Sequence, residues 1–217
     1  MDTTGRRPVV TLWETYGAGM EEVAALVAER LGVEAHSQRF TPAEVAAAGR
    51  SGRIGEGDGE IWFLVGATGS SLRGYQRSEL LRGVQERNER IAAQITADVR
   101  AEAERGGVFM GRAATHILRD WPGALHVQLD GPVRDRIERA AAAQGITLEE
   151  AEEQEQWNDE VRSQISIELF GWNPLDNSSY DMVFNTSHMP AATCADLIAG
   201  AARAKAERPQ PTEPTQQ

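Results

Sequence analysis

Two apolar rhythms alternate along the chain. Short runs of β-branched and aromatic residues at 9–13 (Val9, Val10, Thr11, Leu12, Trp13), 108–110, 124–129 and 181–185 have the length and composition of strands, the first two of them buried. Between them apolar positions recur every three or four residues, as on one face of a helix. Val23, Val27 and Leu31 place a helix over 20–31. Leu80, Leu81 and Val84, continued by Ile91, Ile95 and Val99, place a long one over 78–104, and Trp157, Val161, Ile165 and Leu169 share a face of another that runs to 169. Shorter helices are predicted over 42–48, 113–119, 133–144 and 191–204.

Local punctuation agrees with these elements. Gly32 stops the first helix and Gly106-Gly107 the long one, while Pro42 and Pro132 suit helix starts. Thr147, with Glu150 three residues on, has the form of a capping box. Residues 33–40 read as a short strand and turn, and 49–59 (GRSGRIGEGDG) as a mobile surface loop. Strands that alternate with helices predict an α/β fold: three layers, a parallel sheet with helices on both faces. Ligands of such sheets bind beyond the carboxyl ends of the strands. The features to watch are therefore Gly17-Ala18-Gly19, Gly111-Arg112, Asp130 and Asn185-Thr186-Ser187.

The first of these is a strand, a glycine turn (Tyr16, Gly17, Ala18, Gly19) and a helix opening at Met20. Such a turn leaves N–H groups unpaired at the positive end of a helix, and the preferred guest is a phosphate. A full Walker A loop would have a lysine where Met20 stands, and Glu21 and Glu22 follow it. Two carboxylates suit a helix start but repel a triphosphate there, so an ordinary glycine turn is an equal reading. Gly66-Ala67-Thr68-Gly69-Ser70-Ser71 imitates this turn; a plain loop is the simpler reading of it and a second anion site the alternative.

Composition narrows the classes. The 217 residues are enough for one domain, placed over 9–205, with disordered tails at 1–8 and 206–217. A net charge of −11 argues against a broad nucleic-acid face. A single cysteine, Cys194, rules out an internal disulfide framework and fits a reducing compartment. With no long apolar run and no signal-like N-terminus, a cytoplasmic protein without a membrane span is expected. His36, His116, His126 and His188 are scattered, and no metal ligands can be named.

In so acidic a chain the arginines near the strand ends need a reason. Arg134, Arg136 and Arg139 lie on one predicted helix, with 136 and 139 on one face; Asp159 and Arg162 repeat the spacing on the next, and Arg112 ends a strand. Converging guanidiniums make forked bonds to phosphate and could neutralise a transferring phosphoryl group. For any one arginine, a surface ion pair with Asp135, Glu138 or the glutamates of 149–155 is the simpler reading. For the set, phosphate chemistry is favoured. No serine-nucleophile signature is present.

The blocks YGAGMEEVAALVAERLG, GGVFMGRAATHIL, LDGPVRDRIERAAAAQGITLEEA, NDEVR and SSYDMVFNTSHM, in that order and spacing, resemble the cytidylate kinase-like family, a branch of the P-loop nucleoside monophosphate kinases. The resemblance implies a core parallel sheet, a helical monophosphate-binding insertion over 40–105 and an arginine-bearing lid over 132–172. It implies ATP as donor, a pyrimidine nucleoside monophosphate such as CMP as acceptor, and Mg²⁺ as the bridging ion. Tyr16, Gly17, Ala18, Gly19 and Met20 would cradle the donor phosphates and Arg112 would hold the acceptor phosphate. Arg136, Arg139 and Arg162 would close on the phosphoryl group, with Asp159 orienting Arg162.

This chain departs from the family's usual loop, tyrosine-glycine-serine-glycine-glycine-arginine-glutamate. Ala18 replaces the serine, Met20 the second paired glycine and Glu21 the arginine; Met110 and Ala113 stand where aspartates flank the Gly-Arg pair. Two functions follow: phosphoryl transfer from ATP to a pyrimidine monophosphate, or a catalytically impaired nucleotide-binding or regulatory protein that kept the kinase fold. An interaction protein that binds no nucleotide is the third reading. The expected partners are nucleotides, with no nucleic acid and no membrane; the oligomeric state is not legible.

Overall fold

A computed structural model of the chain describes residues 7–51, 53–55, 61–62 and 74–207. The glycine turn of 66–71, part of the 49–59 loop and the outer parts of both tails lie outside the described residues. The five-stranded sheet has the order β2-β5-β1-β6-β7, formed by Ala35–His36, Gly107–Met110, Val9–Glu14, Leu125–Asp130 and Met182–Asn185. Every pairing in it is parallel. β1 is central, and all six of its residues are buried.

The alternation of side chains along β1 divides the core into two layers. Val10 and Leu12 face α1 (Met20–Leu31) and α7 (Ala191–Ala206), where Val23, Val27, Cys194 and Ile198 complete one cluster. Val9 and Trp13 face the other way, toward Ile95 and Val99 of α3 (Gly74–Ala103), Ile117 of α4 (Ala114–Ile117) and Val161 of α6 (Leu148–Phe170). Each fully buried Val or Leu contributes about 1.5–3 kcal/mol, so β1 is held from both faces. The result is the three-layer α/β architecture that the alternating rhythms predict.

Elements differ from expectation at a few places. α2 (Pro42–Ser51) runs into the expected loop, and β3 (Arg53–Ile54) then pairs antiparallel with β4 (Ile61–Trp62). The Ser51 hydroxyl bonds the carbonyls of Ala48 and Arg53, which joins helix end to strand start. α4 has four residues: Gly111, Arg112 and Ala113 all take left-handed backbone, φ 62°, 56° and 52°, which keeps Ala113 out of it, and the helix ends before Leu118, φ −104°. α5 (Val133–Gln144) keeps its predicted bounds. α6 begins after Thr147, whose hydroxyl accepts from Glu150 N while the Glu150 carboxylate accepts from Thr147 N at 2.8 Å. Among the described residues no helix is long and apolar enough to cross a membrane.

Candidate functional site

The turn after β1 is held by internal bonds. Thr15 N–H donates to Leu129 O at 3.1 Å and the Thr15 hydroxyl to Asp130 Oδ1 at 2.6 Å, which fixes the turn against the end of β6. Tyr16 is buried; its hydroxyl donates to Gln154 and accepts from Gln144. Gly17 and Gly19 take left-handed backbone, φ 77° and 88°. At Gly17 a side chain would overlap the backbone carbonyl of Arg136, so α5 packs directly on the turn.

Two carboxylates accept the turn's amides. Tyr16 N–H donates to Asp159 Oδ1 at 2.6 Å, and Met20 N–H, at the start of α1, donates to Glu14 Oε2 at 2.9 Å. The helix start that would face a phosphate is thus capped by an acid of the same chain. Burial pushes the Glu14 carboxyl above its ordinary range, against the pull of Arg162 and the Met20 amide, while Asp159 and Glu21 add to the rise. Burial also raises Asp159, opposed by the Tyr16 amide and Arg136.

The arginines fall into two groups. Arg136 is buried and fully engaged: it donates to Gly131 O and Tyr16 O, and lies 3.3 Å from Asp159 and 3.6 Å from Glu155. Arg139 donates to Gly17 O at 2.8 Å and to the hydroxyl and carbonyl of Thr186. These two brace the turn and the end of β7 from behind. Asp159 accepts from Tyr16 N–H and pairs with Arg136, and the Arg162 charge also reaches it, while Arg162 itself lies 3.9 Å from Glu14. Arg134 is solvent-exposed and pairs with Glu138 one turn on, the surface pairing that sequence allows.

Arg112 and Arg162 line a separate cleft with Arg39, Phe40, Trp13 and Phe170. Arg112 makes a forked pair with Glu102, 2.7 and 3.4 Å. The Arg39 guanidinium lies 5.4 Å from the Phe40 ring, and burial together with Arg112 lowers its proton affinity. Arg162 Nη2 is buried with no hydrogen-bond partner. A second cavity of about 290 Å³ lies over the turn, bounded by Gly17, Gly19, Glu21, Glu22 and Arg139. Glu14, Met20 and Gln38 line both spaces.

Sequence reasoning singles out neither Glu14 nor Arg39. The available signal for Glu14 is an acid ending an otherwise apolar strand just before a glycine turn; Arg39 has none, because its place depends on how 37–40 folds over the sheet edge. Among the described residues no three acid, His or Cys side chains converge into a metal cage; the Mg²⁺ of a nucleotide needs only one or two carboxylates beside the phosphates, and Glu14, Glu21 and Glu22 line the space over the turn.

The sequence model of the cytidylate kinase-like family matches residues 9–188. A cytidylate kinase of Methanopyrus kandleri is 30% identical over 137 residues, 59% of this chain and 71% of that protein. A uronate isomerase of Corynebacterium glutamicum is 32% identical over 111 residues, 51% of this chain, so the chain spans only 21% of that relative's length. An uncharacterized protein from Eubacterium ventriosum, of known structure, superposes with a TM-score of 0.60 at 17% identity, over 91% of this chain and 99% of that one, a likeness of fold alone.

Proposed function

We propose that this chain, which belongs to the cytidylate kinase-like family, binds a nucleoside monophosphate in the arginine cleft and is impaired in phosphoryl transfer to it. Family and kinship support a nucleoside monophosphate kinase-like function at the coarse level; substrate and activity are the parts proposed here. The observation that carries the binding half is the meeting of Arg39, Arg112 and Arg162 in one cleft, with an Arg162 nitrogen buried and unpaired. A buried unpaired donor costs about 1–3 kcal/mol, which a ligand phosphate would recover by accepting from it. Guanidiniums match phosphate geometry, and Phe40 and Phe170 give a base apolar walls.

The impairment is supported on the donor side. The amide at Met20 already donates to Glu14, the Met20 side chain offers no charge, and Glu21 and Glu22 open the helix. Removal of one preorganised donor from a transition-state site costs about 3–4 kcal/mol, and repulsion by the acids adds to it. Transfer from ATP to CMP is the second reading. It is favoured by the preserved glycine turn, whose positive φ values and place at the carboxyl end of β1 suit a phosphate cradle once Glu14 moves off.

Calorimetric titration with CMP, UMP and ATP tests the proposal. A pyrimidine monophosphate should bind saturably, Arg112→Ala and Arg162→Ala should each weaken it at least tenfold, and ATP alone should give no comparable heat. Absence of monophosphate binding would reject it.

A further inference from the structure

Glu14 stands between the two cavities with its oxygens divided: Oε2 accepts the Met20 amide at 2.9 Å and Oε1 faces Arg162 Nη1 at 3.9 Å. We propose that Glu14 is an internal anion that competes with the ligand's phosphate for Arg162, so that binding in the cleft is coupled to uptake of one proton by Glu14. This rests on the nucleotide-binding reading above and adds a residue that sets affinity and its dependence on pH.

The charged and polar groups facing Glu14 decide the direction. From α6 come Arg162 and Asp159, from α1 the Met20 amide and Glu21, and from the turn the Tyr16 phenol; Arg39 and Arg112 lie across the cleft that Glu14 also lines, where the phosphate would take their charge as well. Arg162 is its one ion partner among the described residues. A phosphate that accepts from Arg162 takes most of that positive charge for itself. Glu14 is then left buried, with one amide on its side and Asp159 and Glu21 against it. Desolvation and both like charges favour the neutral acid, so a proton is taken from solvent onto Oε1 while Oε2, now a carbonyl oxygen, still accepts from Met20 N–H. No other bond is made or broken. Burial already holds this carboxyl above the ordinary range, the same direction as the proposed uptake. By reciprocity, acid strengthens binding and an ionised Glu14 weakens it.

The test is calorimetry with CMP at fixed pH in two buffers of unlike ionisation enthalpy, on wild type and Glu14→Gln. Because the CMP phosphate itself titrates, the informative quantity is the difference between the proteins. Wild type should take up a large fraction of a proton more than Glu14→Gln, and Glu14→Gln, with the competitor neutralised, should bind CMP about tenfold tighter. Equal proton uptake, or weaker binding by Glu14→Gln, would overturn the proposal. A ligand-free measurement separates it from the nucleotide reading: carbon-13 NMR of the glutamate carboxyls, with Glu14 assigned by its absence in Glu14→Gln. Its titration should move to higher pH in Arg162→Gln. If CMP gives no heat in any protein but this shift is seen, the nucleotide reading fails and the Glu14–Arg162 couple stands; no shift in Arg162→Gln sinks the couple whatever CMP does.

Discussion

Gly17 and Gly32 are both glycines with left-handed backbone, but their surroundings differ. A Cβ at Gly17 would meet the Arg136 carbonyl carbon at 2.8 Å, whereas nothing lies within 4 Å of one at Gly32. Gly17→Ala should therefore cost about 3 kcal/mol and lower the melting temperature by about 10 °C, and Gly32→Ala only about 1 kcal/mol. Calorimetric melting of the two variants checks this; equal losses would mean α5 does not rest on the turn.

His126 makes a second prediction. It is buried, with Nδ1 2.8 Å from the Thr11 hydroxyl, and burial lowers its pKa from 6.5 to about 4, despite the nearby Asp181. The unfolded chain then binds the proton more readily than the folded one. The contribution is fully present above about pH 6.5 and is lost as pH falls toward 4, by about 3 kcal/mol in all. Urea unfolding between pH 7 and 4 should show a flatter profile for His126→Gln than for wild type. Identical slopes would mean that the ring is not held neutral.

Arg112 joins backbone strain to the cleft. Its φ of 56° costs about 1 kcal/mol in a residue with a side chain, and the strain persists at the residue that brings a guanidinium into the cleft. Arg112→Gly relieves it while removing that group. Stability should stay within about 1 kcal/mol of wild type, while CMP affinity falls at least tenfold; a large fall in stability would show that the Glu102 pair is structural.

At the scale of elements, periodicity and caps made most of the fold legible. The predicted starts of α1, α5 and α6 coincide with the observed ones because each has a local cause: a glycine turn, Pro132 and the Thr147–Glu150 box. Thr147→Ala should destabilise the protein by about 1 kcal/mol, measurable by chemical denaturation. α4 starts one residue later than its pattern suggested, since three successive left-handed residues precede it, and of these only Gly111 is announced by its residue type. The short β2 is held by its pairing with β5, a contact distant in sequence. Periodicity within a window carries no information on such pairings.

For the whole molecule, the sequence pointed to one end of the sheet. The turn, Arg112, Asp130 and Thr186 do gather at the carboxyl ends of β1, β5, β6 and β7. The grouping of the arginines was not legible, because spacing along α5 and α6 shows which residues share a helical face and not what that face meets. Arg136 and Arg139 meet backbone carbonyls, while Arg112 and Arg162 meet a cleft. Glu14 was hidden for the same reason: its role exists only where a strand end folds back on a helix start. Phosphorus-31 NMR of the protein with CMP, ATP and Mg²⁺ tests the central claim most directly. The account predicts a CMP resonance shifted or broadened by binding while the three ATP resonances keep their intensities overnight. Loss of ATP matched by growth of ADP and CDP, or a CMP resonance indifferent to the protein, would contradict it.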